Sequence, residues 1–405
     1  MNNRGKVSFV MVTIMALLLT PWSHISSEFP SDEETINSSA RSVDPWTQNQ
    51  PWGQFGGGPD RRHTPPSHSP DGGAGNGTPS EANTLGSILD PVINWKFSSD
   101  PIGTPSLSTA IGDFSNSINA AEGHEEDCGG DSLFPVIIQP NTGSTDQSIL
   151  RIIEGEDAVT AWEVNLGPTR PMKAGPIVAD VDSDGQPEVI VIFDSASAGT
   201  INVEMWAPQL VCTATGWNSG GSHASERIWT WSDEELSIEH SEGAYTSGLT
   251  GDHHPTAQPV VADLDLDGNP EIAIPAISES TNSPVIISLS LPTSGSPEEN
   301  WRAEIESGSH PSDLTFATLG TDTTAVFFTT IEEDDGLMWA WRLDGSSGAS
   351  AWSGGSSLGN LDGGASDSPR IRLPGPVVAQ LDSDDAPELI LTIPTDLGGN
   401  GVADG

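Results

Sequence analysis

Residues 175–192 read "GPIVADVDSDGQPEVIVI", and the same pattern returns at 258–275 as "QPVVADLDLDGNPEIAIP" and at 375–392 as "GPVVAQLDSDDAPELILT". Each copy carries a proline, a short apolar run ending in alanine, an acidic segment, Pro-Glu and a second apolar run. Two apolar runs of strand length flanking a polar, glycine-bearing segment predict two short β-strands joined by a tight turn. A segment that returns at one place in a long period marks a supersecondary unit. Two eroded copies extend the series, "TPSLSTAIGDFSNSINA" from Thr104 and "SDLTFATLGTDTTAVFFTT" from Ser312. Matched on Ser108, Ala179, Ala262, Ala317 and Ala379, the five copies recur every 55 to 83 residues.

A second landmark precedes each copy. Tryptophan stands in an apolar stretch at Trp95, Trp162, Trp229 and Trp231, Trp301, and Trp339 and Trp341. The order within a unit is therefore tryptophan strand, polar loop, strand, acidic turn, strand. Short strands at regular intervals without helical periodicity predict an all-β fold, a β-propeller of about five visible blades. A fixed position in every unit makes the tryptophans packing residues between blades. Trp206, Trp217 and Trp352 fall outside that register and are read as the exposed ones.

The acidic turn has the chemistry of a cation site. Counted from Asp180, carboxylates stand at positions one, three, five and nine, namely Asp180, Asp182, Asp184 and Glu188. Alternate side chains of an extended backbone point the same way, so the first three converge. Gly185 supplies the sharp turn, and the carbonyl of Gln186 is a further donor. All are hard oxygen ligands of the kind Ca²⁺ takes. The second copy repeats the set as Asp263, Asp265, Asp267, Asn269 and Glu271. The third keeps Asp382, Asp384 and Glu388 but has Gln380 first and Asp385 in the glycine place, which predicts a weaker site. An EF-hand closes its loop with an acid at position twelve between helices; here the acid is at nine and strands flank it.

The pattern of proline, apolar pair, Ala-Asp, apolar, Asp-x-Asp-Gly-x-Pro-Glu and an apolar strand resembles the FG-GAP/VCBS repeat of integrin-α-like β-propellers, over roughly residues 88–395. The resemblance implies Ca²⁺ held in the turn between two strands of a blade, a ring of seven blades incompletely represented in this chain, and a role in recognition or adhesion. Propellers of similar repeat also host polysaccharide lyases and quinoprotein dehydrogenases, which leaves an extracellular enzyme, or a surface protein whose activity lies in a further C-terminal part, as alternative readings.

The chain has 405 residues, 14 Lys plus Arg against 58 Asp plus Glu, and a formal net charge of −44. Such a charge excludes nucleic acid, which needs clustered basic groups, and docking on anionic lipid. Residues 1–27, with Arg4 and Lys6 before the apolar stretch Val7–Thr20, read as a secretory signal peptide or an N-terminal anchor. Residues 28–87 are a Ser/Pro/Gly-rich linker with too little apolar content to order, and 88–405 hold the propeller repeats. The expected location is secreted or at the cell surface. The expected partner is an extracellular protein or polysaccharide, bound on long variable loops such as 206–256 and 342–373. Cys128 and Cys212 are the only cysteines; export permits a bond between them, and the sequence leaves open whether they meet. No catalytic constellation emerges. "GSSLG" around Ser357 fits a nucleophile-elbow pattern without a strand leading into it, and the His253–His254 pair lacks a third ligand at metal spacing.

Overall fold

A computed structural model describes residues 109–121, 128, 133–140, 147–154, 159–168, 174–195, 200–220, 223–238, 257–281, 283–307, 310–319, 322–331, 337–360, 375–379 and 387–391. All belong to one unit, Ser39–Gly405. The leader at 1–27, the linker at 28–87, Trp95, the histidine pair and positions 380–386 lie outside the described residues. Among the described residues, no helix is long and apolar enough to cross a membrane.

The described chain is all-β. The first sheet has the order β1-β3-β4-β5, formed by β1 (Ala110–Asp113), β3 (Leu133–Pro140), β4 (Gln147–Ile153) and β5 (Thr160–Pro168). The second is β6 (Ile177–Ala179), β7 (Glu188–Asp194), β8 (Ile201–Trp206) and β11 (Arg227–Asp233), in that order across the sheet. The third runs β13 (Val260–Ala262), β14 (Glu271–Ser278), β15 (Pro284–Ser290) and β16 (Glu299–Glu304), with β12 (Leu236–Ser237) also on β14. The fourth runs β18 (Thr315–Thr318), β19 (Thr324–Ile331), β20 (Leu337–Asp344) and β21 (Ser356–Asn360), with β17 (His310–Pro311) also on β19. Of the fifth, β22 (Val377–Ala379) and β23 (Glu388–Ile390) are described. Every pairing within these five sheets is antiparallel.

The sheets stack in chain order, and the sequence shows why. In β7, "EVIVIFD", all seven residues are buried. Alternate residues of a strand face opposite ways. Val189, Val191 and Phe193 therefore join the first sheet's Phe134, Val136, Leu150 and Ile152, while Ile190 and Ile192 join the third sheet's Ile272, Ile274 and Ile287. On the third sheet, Ala273 and Ile286 turn the other way, toward Phe316, Val326 and Phe328 of the fourth. Ala325 and Phe327 then meet Val378 of the fifth. A strand covered on both faces is apolar through its middle, and the stretch from Val189 to Phe193 in β7 is such an unbroken run. Burying each such side chain contributes about 1.5–3 kcal/mol.

In the first three sheets a tryptophan of the outer strand ties its sheet to the next. Trp162 on β5 donates its indole N–H to Glu226 Oε2 at 2.7 Å. Trp229 on β11 donates to the Pro292 carbonyl at 2.9 Å. Trp301 on β16 donates to the Gly345 carbonyl at 2.7 Å. Each acceptor lies between the third and fourth strands of the following sheet. A second lacing runs along the residues that lead into the inner strands: Gly175 N–H donates to Gln258 Oε1, and Gln258 N–H to Asp313 Oδ1, at 3.0 and 2.7 Å.

Several sequence readings are corrected. The first inner strand is Ala110–Asp113, so Gly112, four residues after Ser108, matches Ala179; Asp113 stands for Asp180 and the buried Phe114 for Val181. In the fourth sheet the tryptophans Trp339 and Trp341 are on the third strand, and "GSSLG" lies on the fourth, where Ser357 pairs with Trp339; Ser357 sits within a strand, which is not the strand-to-helix turn of a nucleophile elbow. Trp206 is 3% exposed, against the expectation of exposure. The span 206–256 is not simply loop, since it holds β9 (Leu210–Thr213), β10 (Gly216–Trp217), β11 and β12.

These strands belong to an accessory structure. After β1 the chain leaves the first sheet through a 3₁₀ turn, Ser115–Ser117, and β2 (Ile118–Ala120). The second sheet has its own excursion, β9 and β10, between β8 and β11. β2 pairs with β9 in parallel, giving a three-stranded sheet in the order β10-β9-β2. Cys128 and Cys212 are joined, with Cα atoms 6.0 Å apart.

Candidate metal centre

Both complete acidic turns fold identically, from the same local rules. In the first, Asp180 Oδ1 accepts the Asp184 N–H at 3.0 Å and Oδ2 the Gly185 N–H at 3.0 Å. In the second, Asp263 Oδ1 accepts from Asp267 and Oδ2 from Gly268, each at 3.1 Å. Asp182 Oδ1 also accepts from Asp184 N–H, and Asp265 Oδ1 from Asp267 N–H. A short aspartate side chain that caps amides two to five residues ahead closes such a loop without an added ion. Gly185 and Gly268 have φ of 85° and 94°, as the turn requires. Ser183 and Leu266, at position four, are also left-handed, at 59° and 63°, which the sequence did not signal.

The closing glutamate is the first residue of the second strand. Ala179 pairs with Glu188 and Ala262 with Glu271. This places each carboxylate under its turn, where Glu188 Oε2 accepts the Val181 N–H at 2.8 Å and Glu271 Oε2 the Leu264 N–H at 2.7 Å. Val181 and Leu264 themselves are buried anchors.

Positions one, three and nine converge. Asp180, Asp182 and Glu188 each bring a carboxylate oxygen within 4.8 Å of the others, and Asp263, Asp265 and Glu271 do the same. Ligands 2.3–2.6 Å from a Ca²⁺ ion lie at most about 5 Å apart, so the spacing fits a hard divalent cation. Asp184 and Asp267 lie outside these triads; their carboxylates accept the backbone N–H groups of Gln186 and Asn269, at 2.7 and 2.8 Å. The Gln186 side chain donates to Asp184 Oδ2, and that of Asn269 to Asp267 Oδ1. In the third copy Ala379 pairs with Glu388 in the same register; Asp382 and Asp384 are outside the described residues.

Burial, reinforced by the neighbouring aspartates, pushes the Glu188 and Glu271 carboxyls up to about 8, although a backbone N–H opposes the shift at each. Burial also raises Asp180 and Asp263. In the cation-free protein the two glutamates hold protons that the unfolded chain has released above its ordinary value of 4.5. The native state binds more protons there, so its stability falls as pH rises. In chelator, unfolding free energy is expected to fall between pH 5 and 8 by on the order of a few kcal/mol, and a bound divalent cation is expected to flatten the profile. Urea titrations at pH 5, 6.5 and 8 measure it; stability that rises across this range in chelator contradicts the protonated glutamates.

Sequence reasoning also missed Asn116. Its amide Nδ2 donates to the Gly185 carbonyl at 2.9 Å across a separation of 69 residues. No spacing rule connects the two, because the contact depends on the excursion of the first sheet. No protein-family model matches the chain, and no curated protein matches it.

Proposed function

We propose that this protein is an exported, Ca²⁺-stabilised β-propeller that acts as a ligand-binding or adhesion module of the FG-GAP/VCBS type. The observation that carries the reading is the repetition: two oxygen triads of one geometry, at equivalent places in consecutive stacked sheets. One acidic turn is a common surface feature; two with matched buried glutamates gather carboxylates whose mutual repulsion a bound divalent cation relieves, as does protonation of the glutamates when the ion is absent. The cation is structural in this reading, holding the turn between the first two strands. The buried Cys128–Cys212 bond suits an oxidising compartment, where calcium is plentiful. Recognition falls to the connections that differ between sheets, as loops on a rigid scaffold carry function, and a protein or polysaccharide is the ligand class.

At ten times its Kd, each bound ion adds roughly 1.4 kcal/mol. The melting temperature is therefore expected to fall by several degrees in EGTA and to return with CaCl₂ but not NaCl. An identical melt in both sinks the cation reading. An array of glycans and matrix proteins probed with and without Ca²⁺ tests the binding role, and turnover of polysaccharide or alcohol substrates speaks for the enzyme instead.

A further inference from the structure

The two acidic turns share their internal hydrogen bonds and differ in what surrounds them. Around the first, Gly185 is flanked by Asn116, whose Nδ2 lies 3.1 Å from where a glycine Cβ would stand. Around the second, a Cβ on Gly268 would meet nothing within 4 Å. Asp180 is 6% exposed, whereas Asp263 is half-buried and Gly268 and Asn269 are exposed. The second turn is braced at its base instead, where Thr324 Oγ1 of the fourth sheet donates to the Leu264 carbonyl.

Asn116 is held from both sides. Behind it, Phe114 is fully buried and its carbonyl accepts the Ser117 N–H at 2.9 Å. Ahead of it, β2 pairs with β9, and the Ala121 N–H donates to the Cys212 carbonyl at 3.0 Å. The disulfide from Cys128 to Cys212 closes the excursion onto the second sheet. The donor that fixes the first turn is thus carried on a covalently tied arm from the neighbouring sheet.

We propose that this disulfide-tied arm preorganises the turn Asp180–Glu188, so that it binds a divalent cation more tightly than Asp263–Glu271 and in thermodynamic coupling with the Cys128–Cys212 bond. The proposal rests on the cation reading above. A loop fixed in its bound conformation loses less entropy on binding. Coupling is reciprocal, so an ion in the first turn shifts the equilibrium of the Cys128–Cys212 pair toward the disulfide.

Calcium titration of the full chain by calorimetry tests it. Beyond the weaker uptake expected of the third copy, the wild type shows two steps, with Asp182→Asn removing the tighter and Asp265→Asn the other. Asn116→Ala, and Cys128→Ser with Cys212→Ser, each weaken the tighter step roughly three- to tenfold and leave the other unchanged. Equal weakening of both steps, or of neither, overturns the proposal. A wild type that takes up no calcium defeats the cation reading itself and the proposal with it. A second measurement uses folded protein equilibrated with a buffer of reduced and cyclic oxidised dithiothreitol: the fraction of protein in which the disulfide has become two thiols, one dithiothreitol being oxidised to its cyclic disulfide for each. Calcium lowers this fraction in wild type and in Asp265→Asn but not in Asp182→Asn; protection that survives Asp182→Asn also overturns it.

Discussion

Replacing Trp162 with alanine is expected to destabilise the fold by about 3–5 kcal/mol, the range for a fully buried tryptophan. Trp162 is 0% exposed and fills the space between the first and second sheets, edge-on to Trp206 with ring centres 6.0 Å apart. Truncation opens a cavity there and removes one of the donors that anchor Glu226. That carboxylate also accepts from the Gln209 N–H at 3.0 Å and lies 2.8 Å from His223 Nδ1, so the lost donor loosens the junction between β9 and β11. Trp162→Phe separates the two contributions: it keeps most of the volume and forfeits the N–H, at a cost of about 1–2 kcal/mol. Chemical denaturation measures both, and a loss below about 1 kcal/mol for the alanine variant contradicts the packing role.

The second large effect concerns the disulfide. Cys128 and Cys212 are 84 residues apart, and closing a loop of that length removes enough unfolded-state entropy to stabilise the fold by about 4–5 kcal/mol. Replacing both with serine is expected to cost that amount in the oxidised reference condition and to leave the denatured chain more expanded. Both sulfurs are buried, so the bond resists reductant in the folded protein and opens readily once denaturant is added. Denaturant midpoints of the wild type and double variant give the first quantity, and thiol labelling gives the second. A double variant with an unchanged midpoint would falsify the entropic account.

What the sequence made legible follows from the range of each interaction. The acidic turns and their flanking strands rest on contacts within nine residues, and their glycines, aspartates and apolar runs stand in the chain in the order they act. The stacking of sheets was legible for the same reason: a strand such as β7, apolar without a break from Val189 to Phe193, needs cover on both faces. The accessory sheet was not. β2 and β10 span three and two residues, too short to show alternation, and β2 finds its partner about ninety residues away in a parallel register that no local pattern encodes. Trp206 looked free because its position breaks the tryptophan register; burial came from a neighbour, since its indole N–H reaches Glu204 and the Arg227 guanidinium lies over its ring. The first unit was misplaced by four residues because Gly112 stands where the others have alanine and an excursion replaces the turn.

The indole of each of the first three outer strands reaches forward to the next sheet and finds a carbonyl or carboxylate between that sheet's third and fourth strands. What a unit requires of its neighbour is therefore the same at each of these joints: an apolar face to pack against, one tryptophan offered and one acceptor received. Stability in such a stack is close to a sum of unit and nearest-neighbour contributions. A gene encoding it can lengthen by duplicating one unit, because the new copy brings both halves of the joint. The wide variation in unit length, from a bare hairpin turn to a disulfide-tied excursion, is what a joint this local permits.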